Sequence, residues 1–297
     1  MKTKYFAQLI ALSALWGASF MLIRIASPLL GPNVLAALRI GMATLTLAVL
    51  MRSMCHRWPL EHWRELALLG ALAVAVPFLL FSWAALQLPA GYSALLNSTA
   101  VVFGIFSAAW LKEDTLSLPK LLGCVCGFAG IALIVGLGPV RPTPAVVWAA
   151  VACTVGAAGY GISTPLMKRA LTRMQPLEIA AGIHAAALVM LLPGAVWSWP
   201  QAQFTPAAAL AVLVMGVVTS GLAYWMHIRI MVHVSPVAAM SPIFLIPVFG
   251  VTWGNLFLGE QLSTGIYAGG ALVLLASALI TGFNPWKFKR QPLEPSA

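Results

Sequence analysis

Residues 89–113 read PAGYSALLNSTAVVFGIFSAAWLKE, and residues 236–260 read PVAAMSPIFLIPVFGVTWGNLFLGE. Each stretch opens on proline, stays apolar for about twenty positions, enough to carry a helix across roughly 30 Å of hydrocarbon, and closes on leucine and glutamate. Pro89 and Pro236, Leu111 and Leu258, and Glu113 and Glu260 are each separated by 147 positions, as are Gly123 and Gly270 beyond them. Trp16-Gly17-Ala18-Ser19 and Tyr160-Gly161-Ile162-Ser163 stand 144 apart, and so do Pro32 and Pro176. Apolar sequences match by chance, so the weight rests on these rarer residues. They point to a chain that repeats itself once.

Working outward from the two stretches, the apolar runs number ten, at about 5–27, 33–51, 66–87, 90–111, 119–138, 145–167, 177–199, 206–230, 236–258 and 265–284. The expected fold is an all-α polytopic membrane protein. The gaps after the second, fourth, sixth and eighth runs hold Arg52, Arg57, Arg64, Lys112, Lys120, Lys168, Arg169, Arg173 and Arg229. The two tails add Lys2, Lys4, Lys287, Lys289 and Arg290, whereas Arg141 alone lies in a gap of the other set. Basic loops stay cytoplasmic, which predicts both termini inside. Five spans per half is an odd number, so the second half enters the membrane upside down. The expected division is a first repeat over 1–140, an inverted second repeat over 141–286 and a basic cytoplasmic tail over 287–297. Glu113 then falls on the inner side and Glu260 on the outer side. An inverted pair of bundles that rock about a shared central site exposes it to each side in turn.

Composition narrows the class. The chain is 61% hydrophobic and 8% charged, against about 25% charged in a soluble domain. The gaps are too short for a soluble domain. A net charge of +10 would suggest nucleic acid in a soluble protein, but here the cations are topology signals that also suit anionic lipid. No nucleic-acid partner is expected. The apolar stretch after Lys2 and Lys4 exceeds the 7–15 residues of a typical signal core, and is read as the first helix. Cys124 and Cys126, two apart on one helix, lack metal-ligand spacing. Cys55 and Cys153 add none, so no metal or cofactor is expected.

At Ala94-Leu95-Leu96-Asn97-Ser98-Thr99 through Leu111-Lys112-Glu113, followed by a Gly-rich helix from Gly123 to Gly138, the chain resembles the EamA-like family of the drug/metabolite transporter superfamily. The stretch from Pro242 through Pro247 to Leu258-Gly259-Glu260 resembles its second copy. Leu15-Trp16-Gly17-Ala18-Ser19-Phe20 and Ala37-Leu38-Arg39 are similar to the family's opening two helices. The resemblance implies ten helices, export of amino acids or other small metabolites from bacteria, and a cavity lined by helices one to four and six to nine, with five and ten behind. The family often places a proline in the middle of the fourth helix. Ala100-Val101-Val102 stand there instead.

Acidic residues are informative by their absence. Glu61, Glu65, Glu113, Asp114, Glu178, Glu260 and Glu294 are the full set, and all lie in gaps, at helix ends or in the tail. A carboxylate inside the membrane is the usual device for binding organic cations or relaying protons. Its absence argues against a cation-extruding multidrug exporter, and against intramembrane enzymes with Asp clusters. Glu113 and Glu260 terminate helices, where they serve as caps or as gates.

The candidate substrate-binding residues are Trp16, Phe20, Arg39, Asn97, Thr99, Tyr160, His184 and Tyr224. Asn97 and Thr99 sit mid-span, where an amide needs a partner; it joins helices or touches substrate. Trp16, Phe20, Tyr160 and Tyr224 are too deep to be interfacial anchors, unlike Trp58, Trp63, Trp148, Trp197, Trp199 and Trp286. They pack the core or form an apolar pocket. Pro77 and Pro247 bend helices or free carbonyls toward a cavity. Arg24 and Arg39 either snorkel outward, or Arg39 pairs with a substrate carboxylate near the external exit. His184 packs in the core or carries a coupling proton, and His227 faces headgroups or a cytoplasmic vestibule. The expected activity is not enzymatic. It is export, from the bacterial inner membrane, of a small metabolite such as an amino acid or derivative. The alternatives are an intramembrane enzyme for a lipid-linked substrate and a multidrug exporter.

Overall fold

The computed structural model describes residues 3–112, 117–137, 140–233, 242–261 and 264–281. Glu113, Asp114, Gly138, Pro236, Trp286, Glu294 and the tail 287–297 lie outside them. Among the described residues the chain is all-helical, with no strand.

The helices are α1 Thr3–Leu30, α2 Pro32–Ser53, α3 Leu60–Ala84, α4 Ala90–Trp110, α5 Leu118–Leu137, α6 Pro144–Ala170, α7 Pro176–Ser198, α8 Pro206–His233, α9 Pro242–Leu258 and α10 Thr264–Thr281. Seven helical stretches are long and apolar enough to cross a membrane, and the described parts of α5, α9 and α10 are shorter apolar helices. The protein is a multi-pass membrane protein. Large apolar side chains remain exposed around the bundle, Leu45, Phe106, Val125, Val189, Leu210 and Phe257 among them, as lipid rather than water demands. Trp58, Trp63, Trp148, Trp197 and Trp199 are exposed as interfacial anchors would be.

Local sequence starts the helices. Proline occupies the first turn of α2, α6, α7 and α8, where its missing N–H costs nothing. The hydroxyls of Thr143 and Thr205 accept from the N–H of Val146 and Ala208. Gln175 and Glu178 form a reciprocal capping box on α7.

Three helices are irregular. In α3 the residues Ala71–Ala75 form a π turn just before Pro77. In α8 the residues Val214–Leu222 form a second π segment. Such segments leave carbonyls available to side chains. The third irregularity is a break in α4 between Asn97 and Ala100. The span read at 90–111 is present as Ala90–Trp110, and its break forms without a proline. The hydroxyls of Ser98 and Thr99 donate back to the Leu95 and Leu96 carbonyls. The backbone N–H groups of Ser98, Thr99, Val101 and Val102 reach three residues back instead of four, which tightens the turn.

Alternate gaps gather at opposite ends of the bundle. At one end Arg173 pairs with Glu65 at 2.7 Å and His56 meets Glu178 at 3.2 Å. There too Arg169 donates to the Leu111 carbonyl, and Lys168 to that of Met231. This end joins the gaps after α2, α4, α6 and α8, the basic ones. At the other end Arg24 donates to the Ala85 carbonyl just past α3. Asn33 bonds Ser198 at 2.8 Å, and the Gln203 N–H bonds the Leu29 carbonyl at 2.8 Å. The Glu260 carboxylate accepts from the N–H groups of Ala90 and Gly91 at 2.8 and 3.4 Å, which caps α4 from beyond the end of α9. Arg24 therefore does not snorkel away from the protein; it closes the last turn of α3.

The helices pack in a definite scheme. α5 lies along α10, and α2 along α7. α1 packs on α9 and α8, α6 on α4 and α3, α2 on α8, and α7 on α3. Two glycines, 144 positions apart, allow close approaches between helices. A methyl group on Gly17 would strike Phe249 and the backbone of α9, and one on Gly161 would strike the Ala100 carbonyl and Gly104 in α4.

Candidate functional site

The bundle encloses a cavity with about 860 Å³ of empty space, its open mouth included. α1, α2, α3, α4, α6, α8 and α9 contribute to its wall. Among the described residues α5 and α10 stand outside it, and α7 meets its wall through His184.

Trp16, Phe20, Arg39, Asn97, Tyr160 and Tyr224 come together around this space. Trp16 and Tyr160, 144 positions apart, face it from α1 and α6. The Trp16 indole N–H donates to the Thr219 carbonyl in the π segment of α8 at 3.0 Å. Its ring lies edge-on to His227, with centroids 5.0 Å apart. The Tyr224 hydroxyl makes a long 3.5 Å bond to the Ala73 carbonyl. That is the oxygen four residues before Pro77, which has no N–H to offer it. Tyr160 stacks on Phe81 at 6.2 Å, and Phe81 meets Phe20 edge-to-face at 5.3 Å. The two unusual turns, in α3 and α8, thus supply carbonyls that aim aromatic rings.

Arg39 is 4% exposed. Its Nε donates to Ser220 Oγ at 2.7 Å, and an Nη group lies 3.5 Å from Thr219 Oγ1. Its guanidinium sits 4.0 Å over the Phe78 ring, within cation–π range. Arg39 does not snorkel outward; the hydroxyls of α8 and the ring of α3 draw it into the central cavity. Ser19 bonds Thr219 at 2.8 Å and completes this polar cluster.

Asn97 is buried on the cavity wall at the break in α4, and its side-chain Oδ1 has no hydrogen-bond partner among the described residues. Thr99 does not reach the cavity. Beyond the break it turns to a small recess between α4, α5 and α10. His184 stands one ring behind the wall, edge-on to Tyr224 at 5.0 Å. Its Nδ1 is 2.8 Å from the Ala180 carbonyl, so the neutral ring carries its proton there. His227, expected near headgroups or a vestibule, lines the cavity.

Sequence reasoning missed Phe78, Phe81, Ser19 and Ser163. Ser19 and Ser163 did carry a signal, since they close the aligned Trp-Gly-Ala-Ser and Tyr-Gly-Ile-Ser stretches. Phe78 and Phe81 carried none beyond following Pro77 in a run that is apolar throughout.

Among proteins of known sequence, the chain is 26% identical to the uncharacterized transporter YvbV of Bacillus subtilis, over 94% of this chain and 92% of that one. It is 26% identical to a probable terminal-alkyne amino-acid exporter of Streptantibioticus cattleyicolor, with 89% of each chain covered. It is 25% identical to the uncharacterized inner membrane transporter YedA of Escherichia coli K12, over 97% and 94%. A solved crystal structure superimposes with a TM-score of 0.70 at 16% identity, covering 94% of this chain and 96% of that one; it shares the fold. The sequence profile of the EamA-like transporter family matches twice, at residues 4–136 and 146–282. The chain belongs to the EamA-like transporter family of the drug/metabolite transporter superfamily, a family of transporters and not of enzymes.

Proposed function

We propose that the protein is a bacterial inner-membrane exporter of a small metabolite, an amino acid or derivative, built from ten membrane helices in two inverted five-helix repeats, 1–140 and 141–286. The observation that carries this reading is the packing scheme. Exchanging each helix with the one five places along turns α1 on α9 into α6 on α4, α1 on α8 into α6 on α3, and α2 on α8 into α7 on α3. α2 with α7 and α5 with α10 map onto themselves. These principal contacts are kept under the exchange, which supports a pseudo-two-fold relation, while α1 on α2, α3 and α4 and α10 on α4 have no counterpart of like extent among the described residues. Lys112 and Gly259, 147 positions apart, even share a left-handed backbone, with φ of 59° and 63°.

The cavity lies where the two sets of helices meet, the position alternating access needs. Substrate moves the inward/outward balance only by its difference in affinity for the two states. The basic end faces the cytoplasm with both termini, as the basic-loop rule favours. The amino-acid class is supported by the name of the Streptantibioticus relative and by a weakly polar, aromatic wall without a carboxylate among its described residues. Protons are the proposed coupling ion, with His227 on the wall and His184 behind it as the carriers.

Overproduction in cells followed by measurement of internal and external metabolites tests the function. An outward shift of one amino acid or derivative is expected, and no change in any of them would remove the substrate class. Trp16→Ala and Asn97→Ala should each lower that flux several-fold at unchanged membrane level. Unchanged flux would make both residues packing elements. Fusion tags should report both termini inside; opposite faces would end the inverted-repeat reading.

A further inference from the structure

We infer that the preferred substrate is an acid without a free amine: a carboxylate on an apolar body with one neutral N–H or O–H donor, as in an N-acylated amino acid. The inference rests on the exporter reading above and narrows its substrate class.

The described wall of the cavity carries one permanent charge, the guanidinium of Arg39. Of its five N–H donors, two meet hydroxyls and the other three have no partner among the described residues. No described carboxylate reaches it. Glu65 pairs with Arg173, Glu178 is held by His56 and Gln175, and Glu260 caps α4. A buried cation without a counter-ion is costly, and a carboxylate matches the planar fork in geometry and charge. The substrate then neutralises the site as it enters.

An ammonium group finds no such match. The aromatic wall by itself would attract a cation, but Arg39 already lies over Phe78 with its own positive charge. A second cation in the same space is repelled at low dielectric. For a substrate nitrogen the wall offers the Asn97 amide, whose Oδ1 is buried without a partner among the described residues, as is the Nδ1 of the uncharged His227 ring on the same wall. A neutral amide N–H or hydroxyl satisfies that oxygen. A free ammonium would bring three donors and a charge to it, with no anion to compensate. Phe20, Phe81 and Tyr160 enclose the apolar body.

Four probes of one skeleton separate these terms: N-acetylphenylalanine, 3-phenylpropionate, phenylalanine and phenethylamine. Their dissociation constants are measured calorimetrically on the purified full chain in detergent. N-acetylphenylalanine should bind tightest, phenylalanine about tenfold more weakly or worse, and phenethylamine not at all. Asn97→Ala should bring N-acetylphenylalanine down to the level of 3-phenylpropionate, and Arg39→Gln should weaken both acids about tenfold. The ranking on the unaltered protein decides the matter even if Arg39→Gln does not fold. Phenylalanine binding as tightly as its N-acetyl form, or no binding by either acid, would overturn the inference while leaving amino-acid export standing. Tight binding of the acids with no counterflow in liposomes would instead overturn the exporter reading and keep the assigned site.

Discussion

Glu260→Ala should cut transport about tenfold or more and lower thermal stability, whereas Glu260→Gln should keep most of the stability and lose part of the transport. The carboxylate holds two N–H groups at the start of α4, and Ala90 is buried. Leaving a buried donor unpaired costs about 1–3 kcal/mol, and a negative charge at a helix N-terminus adds about 0.3–1 kcal/mol that glutamine forfeits. The same contact fastens the end of α9 to the start of α4. Losing it frees the two helices that flank the cavity at the end opposite the basic gaps. Melting temperature and flux in liposomes read the two effects separately. If alanine and glutamine both behave like the parent in both measurements, the bond is dispensable to the fold and to the cycle.

The second large effect is expected at Gly161. Gly161→Ala should reduce folded protein in the membrane sharply, while Gly41→Ala should leave it unchanged. A methyl at 161 meets the Ala100 carbonyl and the Gly104 nitrogen, both backbone atoms that cannot rotate aside. Overpacking of this kind costs about 1–3 kcal/mol, occasionally more. At Gly41 the added methyl meets only Leu188, at 3.8 Å, an ordinary contact. Alanine there also gains about 1 kcal/mol of helix propensity. Size-exclusion profiles of the solubilised variants give the comparison, and a Gly161→Ala protein that elutes and melts like the parent would refute the close approach. Gly17→Ala, at the matching place against α9, should show a similar defect.

Much of this was legible because charged and helix-breaking residues are rare in such a chain. The cations of alternate gaps do meet at one end, through Arg173, Arg169 and Lys168. Trp16, Tyr160, Tyr224 and Phe20 stood out as rings too deep to be anchors, and the structure gathers them. Arg39 shows where reading stops. Its position in α2 was plain, but its direction is set by Ser220, Thr219 and Phe78, on helices the sequence does not place beside it. Thr99 was assigned by depth alone, yet two residues past Asn97 it points roughly 200° round the helix from it, toward α5 and α10. His184 has the right depth and lies one ring away, behind Tyr224. Depth along a helix can be counted from sequence; rotation about its axis depends on irregular turns whose residues, as in Val214–Leu222, give little warning.

The hydroxyl-made break in α4 has one more consequence. A proline bend is covalent and permanent, because the missing donor cannot be restored. Residues 98–102 keep every amide hydrogen, and the Ser98 and Thr99 hydroxyls merely borrow oxygens that a straight helix would use. Swapping those partners straightens the rod without leaving any donor idle. The bend beside Asn97 is thus held by hydrogen bonds alone, with no covalent block to a straight helix.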